Sequence, residues 1–443
     1  MTIIAHSFSE QTTRQTVVGT TYTTVLSHAS GNFVAGGKYL IMVTALCDGP
    51  NGTDHIRMRT AHGGVAFADS QYVIEPPNPA KRFNYAWFKV WTAVGGEAID
   101  FQISCSDVAQ TVGADQITIF AMRLDADLIE NTDWFFNELG TDGALSTTPL
   151  DGASVTFTPT VSTNWLVLST AQLQVSSLTV NYATRIQPSG TYTDPSSKWS
   201  REGEDVAETF VATVGRVFED VGAVSQTFKE QSFNEVGNSG NRLHSAIFAL
   251  NLNRFRTKAH VYDNSEAELG TIDWDDLFAN LAIVPDSTGD VWILASGIYD
   301  LGQAGNEITH RLLVDDVDQP DTQTADRYLE EEGADDIDEL SIWRQTAESL
   351  TAAIHSITWE GDVSAVVNVP VLKDKFILCI TMELGGDVPA IATIPHEALG
   401  YVDSSTTVPH EGGVSDKSRI LVTDMFDVLN FDAFPTVEGP PNA

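Results

Sequence analysis

The sequence predicts an all-β protein: three tandem antiparallel β-sandwich domains of jelly-roll type, followed by a C-terminal extension. Three observations carry that expectation. Apolar and polar residues alternate with period two in Tyr85–Trp91, Ile99–Ser104 and Val224–Phe228, as strands with one face in a core must. An aromatic-led apolar strand recurs at nearly constant spacing. Helical periodicity is scarce, the one candidate being Thr324–Glu332 before Gly333.

The repeat sets the organisation. Tyr39 opens Tyr-Leu-Ile-Met-Val, Trp165 opens Trp-Leu-Val-Leu and Trp292 opens Trp-Ile-Leu-Ala, at steps of 126 and then 127 residues. A period that long is a whole domain, not a solenoid unit of roughly 20–50 residues. An arginine follows each opening strand: Arg57, Arg185 and Arg311, 128 and then 126 residues apart. We expect each to pair with a carboxylate at the sandwich edge. Each unit closes on an apolar strand ending at Leu124, Leu252 and Leu384. Asp133-Trp134 and Asp273-Trp274 read as an echo in the linkers, with the tryptophans buried at the junctions. The expected division is 1–128, 129–256 and 257–385 for the three jelly rolls, with an arm over 386–443. At 443 residues each unit is long enough to bury its own core.

Composition narrows the class. With 42% hydrophobic residues and nine tryptophans the chain is expected to be folded. No apolar run approaches the roughly 18–20 residues of a membrane span, and Met1-Thr-Ile-Ile-Ala-His lacks the pattern of a signal peptide, so assembly in a cytoplasm is expected. The Asn51-Gly52 pair suits a hairpin turn. Cys47, Cys105 and Cys379 match no zinc or redox spacing. A Cys47–Cys105 disulfide is one option but is disfavoured by the compartment. The 61 acids against 24 bases, net −37, oppose binding to nucleic acid or anionic lipid. That charge serves solubility, or else adhesion to a basic partner or divalent cations.

Each unit carries a long polar insertion after its arginine strand, at about 60–83, 187–208 and 314–347. Loops at equivalent places project from one end of each domain and are where partner contacts are expected. The third is strongly acidic: Asp315–Leu340 holds twelve acids and one base, Arg327. Its Asp316, Asp318 and Asp321 could share a calcium ion, although the calcium-loop pattern is not met. The tail beyond Leu384 contains one strand-like run, Ile420–Phe426, among six prolines, and reads as an arm that adds a strand elsewhere.

No nucleophile elbow, phosphate loop or dinucleotide fingerprint is present. Pro395-His396-Glu397 and Pro409-His410-Glu411 do not continue to a second zinc-ligating histidine. No catalytic, cofactor-binding or metal residue is nominated, and no cofactor is expected. The three opening and three closing strands resemble the small C1q/TNF-type jelly rolls of tailed-phage virion proteins, over roughly 30–385. That resemblance implies a non-enzymatic virion protein, a capsid decoration or head-fibre component on the particle exterior. Its partners would be other virion proteins, with either a homo-oligomer or an internal pseudo-trimer, and the tail or the N-terminal 30 residues would attach it. The alternative is a tail-fibre protein that recognises host glycan through the insertion loops or through exposed tryptophans, with Trp87, Trp91, Trp199 and Trp343 as candidates. A secreted glycan-degrading enzyme ranks last, for want of an export signal.

Overall fold

The structure is a computed structural model. It describes residues 2–49, 54–75, 82–140, 143–178, 180–190, 192–203, 205–265, 267–268, 275–276, 281–300, 308–318, 339–363 and 371–385. Residues 1–386 form one compact unit and 387–443 a second. The candidate helix, Asp321, the proline-rich arm, His396 and His410 lie outside the described residues, as do Asp273 and Trp274. Among the described residues the chain is all β, with only short 3-10 turns besides. None of its helices is long and apolar enough to cross a membrane.

One strand path recurs three times. The opening strands Lys38–Asp48, Thr163–Gln174 and Gly289–Asp300 each lie between a closing strand and a long third strand. The closing strands are Thr111–Arg123, Asn241–Asn251 and Val371–Thr381. The third strands are Arg82–Thr92, Thr209–Val221 and Glu339–Leu350. An edge strand completes each of these sheets on the far side of the closing strand: His6–Gln11, Trp134–Leu139 and Lys258–Asp263. The arginine strands Ile56–His62, Asn181–Ser189 and Ile308–Val314 belong to the facing layer, with Ile99–Cys105, Gln226–Asn234 and His355–Val363 as their partners. Among the described strands every ladder is antiparallel, as a jelly-roll sandwich requires.

Register corrects three sequence alignments, each by one or two residues. Tyr39 pairs with Arg123 and Trp165 with Asn251, and the equivalent pair in the third set is Val291 with Thr381. Trp292 is therefore one residue out of phase. In a strand a shift of one turns the side chain to the other face: Tyr39 and Trp165 fill sandwich interiors, whereas Trp292 faces away from its own. The closing strands end in phase at Leu124, Leu252 and Met382, not Leu384. The recurring arginine of the first set is Arg59, not Arg57. Arg59 faces Gln102, Arg185 faces Gln231 and Arg311 faces Glu360 across their strand pairs.

Those arginines also differ in partner. Arg311 Nε donates to the Glu360 carboxylate at 2.6 Å, but Arg59 and Arg185 donate to the amide oxygens of Gln102 and Gln231. The role is cross-strand bonding, and only the third pair is ionic. Cys47, Cys105 and Cys379 are all buried.

The first thirty residues are not a free arm. Strands His6–Gln11, Gln15–Val18 and Thr23–His28 all pair within the first strand set. Thr2–Ile3 pairs with Glu383–Leu384 at the end of the third. Wholly buried His28 ties Thr23–His28 to His6–Gln11, its ring nitrogens 2.7 Å from Ser7 Oγ and 2.8 Å from Ser9 Oγ. Burial pushes its pKa down to about 4.

Candidate functional site

The most constructed feature of the molecule lies where the three strand sets meet. Near the start of each opening strand, two residues that do not face the sandwich interior are also apolar: Leu40 and Met42, Leu166 and Leu168, Trp292 and Leu294. A sheet apolar on both faces must be covered on both. The second faces of the three inner sheets cover one another in a single shared core that includes Phe120, Phe248, Trp343 and Phe376.

Packing there is specific to each copy. Phe88, Gly215 and Gln345 occupy equivalent registers, opposite Met42, Leu168 and Leu294 respectively. A Cβ placed on Gly215 would lie 2.5 Å from Cη2 of Trp343, so the glycine is the hollow that admits that ring. Trp343 Nε1 donates to the Thr213 carbonyl at 3.0 Å. Trp292 stacks on Phe120 with centroids 4.3 Å apart and planes 8° apart. Gln345, polar in an apolar setting, is fully employed. Its Oε1 accepts from Trp292 Nε1 at 3.2 Å, and its Nε2 donates to the Met42 carbonyl and to Thr118 Oγ1. A buried amide satisfied on both sides adds register without the penalty of an orphaned group.

Each strand set contacts both others. The first joins the second where Val73 pairs with Thr209 and where Thr213 Oγ1 donates to the Ala86 carbonyl. The second joins the third through Ser200 and Glu339. The third returns to the first through Asn84, whose side-chain amide bonds both the N–H and the carbonyl of Trp343. Val73 and Ser200 stand in the segments read from sequence as polar insertions. Those segments hold the short strands Tyr72–Ile74 and Trp199–Glu202, each paired within its own set and, at one residue, with the neighbouring set.

Ion pairs line the junctions. Lys373 Nζ bridges Asp300 at 2.9 Å and Glu339 at 3.1 Å, and Lys198 pairs with Glu235. Between the first two sets, Lys89 bridges Asp69 at 3.2 Å and Glu138 at 2.8 Å beside His244. Burial would lower the Lys89 pKa, but the Asp69 and Glu138 carboxylates hold it above its ordinary value. Within the second set, fully buried Glu230 faces Arg242 at 3.1 Å and accepts from Thr184 at 2.8 Å. Burial nonetheless raises the Glu230 pKa to about 7.

The tryptophans considered as sugar platforms are not available for that role. Trp87 and Trp343 are completely buried, and Trp91 and Trp199 are 6% and 3% exposed. Trp134, read as linker packing, starts the edge strand Trp134–Leu139 and is buried in the shared core. Sequence reasoning missed Gly215, Gln345 and Asn84. The only signal that could have found them is a misfit: a glycine and a glutamine at apolar registers of the repeat.

No family model matches the chain, and no curated protein matches it. It is similar to a chain of the Sulfolobus Turreted Icosahedral Virus structure, at 11% identity and a TM-score of 0.19, over 78% of this chain and 81% of that one. A triple-jelly-roll chain from the turret assembly of an archaeal virus gives 9% identity and a TM-score of 0.20, over 79% and 81%. A tandem CBM22 domain from Paenibacillus barcinonensis gives 11% identity and a TM-score of 0.16, over 56% and 93%. At such scores nothing of those proteins' roles transfers to this chain. The all-β, antiparallel, jelly-roll-type class rests on its own strand pairing.

Proposed function

We propose that the chain is a non-enzymatic structural protein of a virion, a tailed-phage capsid decoration or head-fibre protein on the particle exterior. In this reading each strand set is one domain, 1–128, 129–256 and 257–385, and the three form an internal pseudo-trimer that docks as one unit. The observation that carries it is the shared core. Three sandwiches that bury their second faces against one another make a rigid block whose apolar surface is committed to holding itself together. The outward surface is left to loops and acids, which suits a part attached to a larger assembly.

Attachment falls to the arm, 386–443, because the N-terminal strands belong to the fold. Co-sedimentation with virions depleted of the protein tests this. The full chain should bind, and a chain ending at Gly386 should stay folded and fail to bind. Binding by the truncated chain would refute the arm's role. Failure of the full chain to bind any particle, together with selective capture of a host glycan on an array, would refute the decoration reading.

A further inference from the structure

At the junction of the first two strand sets, strand pairing brings together three residues that are distant in sequence. Ile56 pairs with Ile74, so His55 and Glu75 lie side by side just past the ends of their strands. Val73 pairs with Thr209 of the second set, which carries Asp205 to the same place. One ring nitrogen of His55 and one carboxylate oxygen each from Glu75 and Asp205 lie within 4.8 Å of one another. We propose that these three residues form a divalent metal site of the zinc class that clips the first strand set to the second.

The histidine carries the argument. His55 is 8% exposed, and its Nε2 is buried with no hydrogen bond. Its nearest carboxylate oxygen, Asp205 Oδ2, is 3.6 Å away. That is too long for a hydrogen bond. It is close to the edge of a tetrahedral zinc site, about 3.3 Å between two ligands each about 2.0–2.1 Å from the ion. Leaving a buried imidazole nitrogen unbonded is costly unless something else engages it.

The surroundings hold the ligands in place. The wholly buried Glu208 carboxylate accepts the backbone N–H of Glu75 at 2.9 Å and of Asp205 at 3.1 Å. One side chain thus sets the spacing of both acidic ligands, a supporting shell of the kind metal sites need. Ser106 Oγ accepts the His55 backbone N–H at 2.8 Å. A cavity of about 320 Å³ lined by His55, Arg57, Gln71, Val73, Gln172 and Thr209 gives room for water on the open coordination position. Imidazole with two carboxylates favours zinc or a neighbouring transition ion over calcium, which takes oxygen ligands.

The neighbouring clusters make the contrast. Asp69, Glu138 and His244 meet at similar range, but Lys89 already places its ammonium between the two acids. At the next junction Lys198 and Lys373 do the same for Glu235, Asp300 and Glu339. Of these two clustered histidines, His55 is the one with a buried ring nitrogen that makes no hydrogen bond among the described residues.

Zinc binding to the full-length chain should be measured by equilibrium dialysis in a large excess of calcium, which occupies ordinary surface carboxylates. We expect one zinc ion to remain bound. His55→Gln and Asp205→Asn should each lose that ion, weakening binding at least tenfold, while Glu138→Gln keeps it. Unchanged stoichiometry and affinity in both His55→Gln and Asp205→Asn would overturn the site. Should either variant misfold, cobalt added to the unaltered chain decides. Paramagnetic shifts of a single histidine ring support the site, and shifts of none overturn it.

Discussion

Replacing Gly215 with valine tests whether the strand sets are welded by specific packing. Glycine inside a strand ordinarily weakens it, and valine there would add up to about 1 kcal/mol of strand preference. The structure reverses that sign. The new Cβ would stand 2.5 Å from Trp343 Cη2 and 3.0 Å from Leu168 Cδ2. Trp343 is fully buried and tethered to the Thr213 carbonyl, so it has nowhere to go. Overpacking of this kind costs about 1–3 kcal/mol. Trp343→Leu alone should cost about 3 kcal/mol, from the cavity and the lost indole hydrogen bond. Combined, the two changes relieve one another, since the smaller side chain vacates the space that the valine enters. A favourable coupling of at least about 1 kcal/mol is expected. Urea unfolding of the four proteins gives it directly, provided the slope m is unchanged. A stabilised Gly215→Val, or costs that simply add, would refute the claim that Gly215 is the socket for Trp343.

Acid should unfold the protein partly through His28. Its folded pKa is lowered from 6.5 to about 4, so the unfolded chain binds the proton first. Its contribution is whole above pH 6.5 and disappears as pH falls towards 4, a loss on the order of 3 kcal/mol. Melting curves of His28→Gln should be flatter over that window, and an equal slope would remove the assignment. Arg242→Met leaves the Glu230 carboxylate buried without its cation and should cost about 3–5 kcal/mol, whereas the double replacement Glu230→Met, Arg242→Met should recover most of it; chemical denaturation separates the cases. Deleting residues 1–11 removes the edge strand that covers Thr111–Arg123 and should abolish the cooperative melt, whereas ending the chain at Gly386 should not. Raising salt from about 0.01 M to about 1 M shortens the screening length from about 30 Å to about 3 Å. With a net charge of −37, the melting temperature should therefore rise with salt.

The all-β class and a period near 126 residues are present in the sequence itself, because alternation and apolar strand runs are local and survive in one dimension. Register is not. Trp292 looked like Tyr39 and Trp165 because all three head an apolar run, yet one residue of phase sends it into the shared core to stack on Phe120. Arg57 stood in for Arg59 for the same reason: two residues apart on a strand share a face, and only the partner across the ladder distinguishes them. The insertions read as loops awaiting a partner because a strand that pairs with a different sheet has no local signature. Gly215 beneath Trp343, and His55 beside Asp205, are neighbours only after the three sets close on one another. Those contacts belong to the tertiary structure, since they depend on which faces meet and not on which residues follow one another.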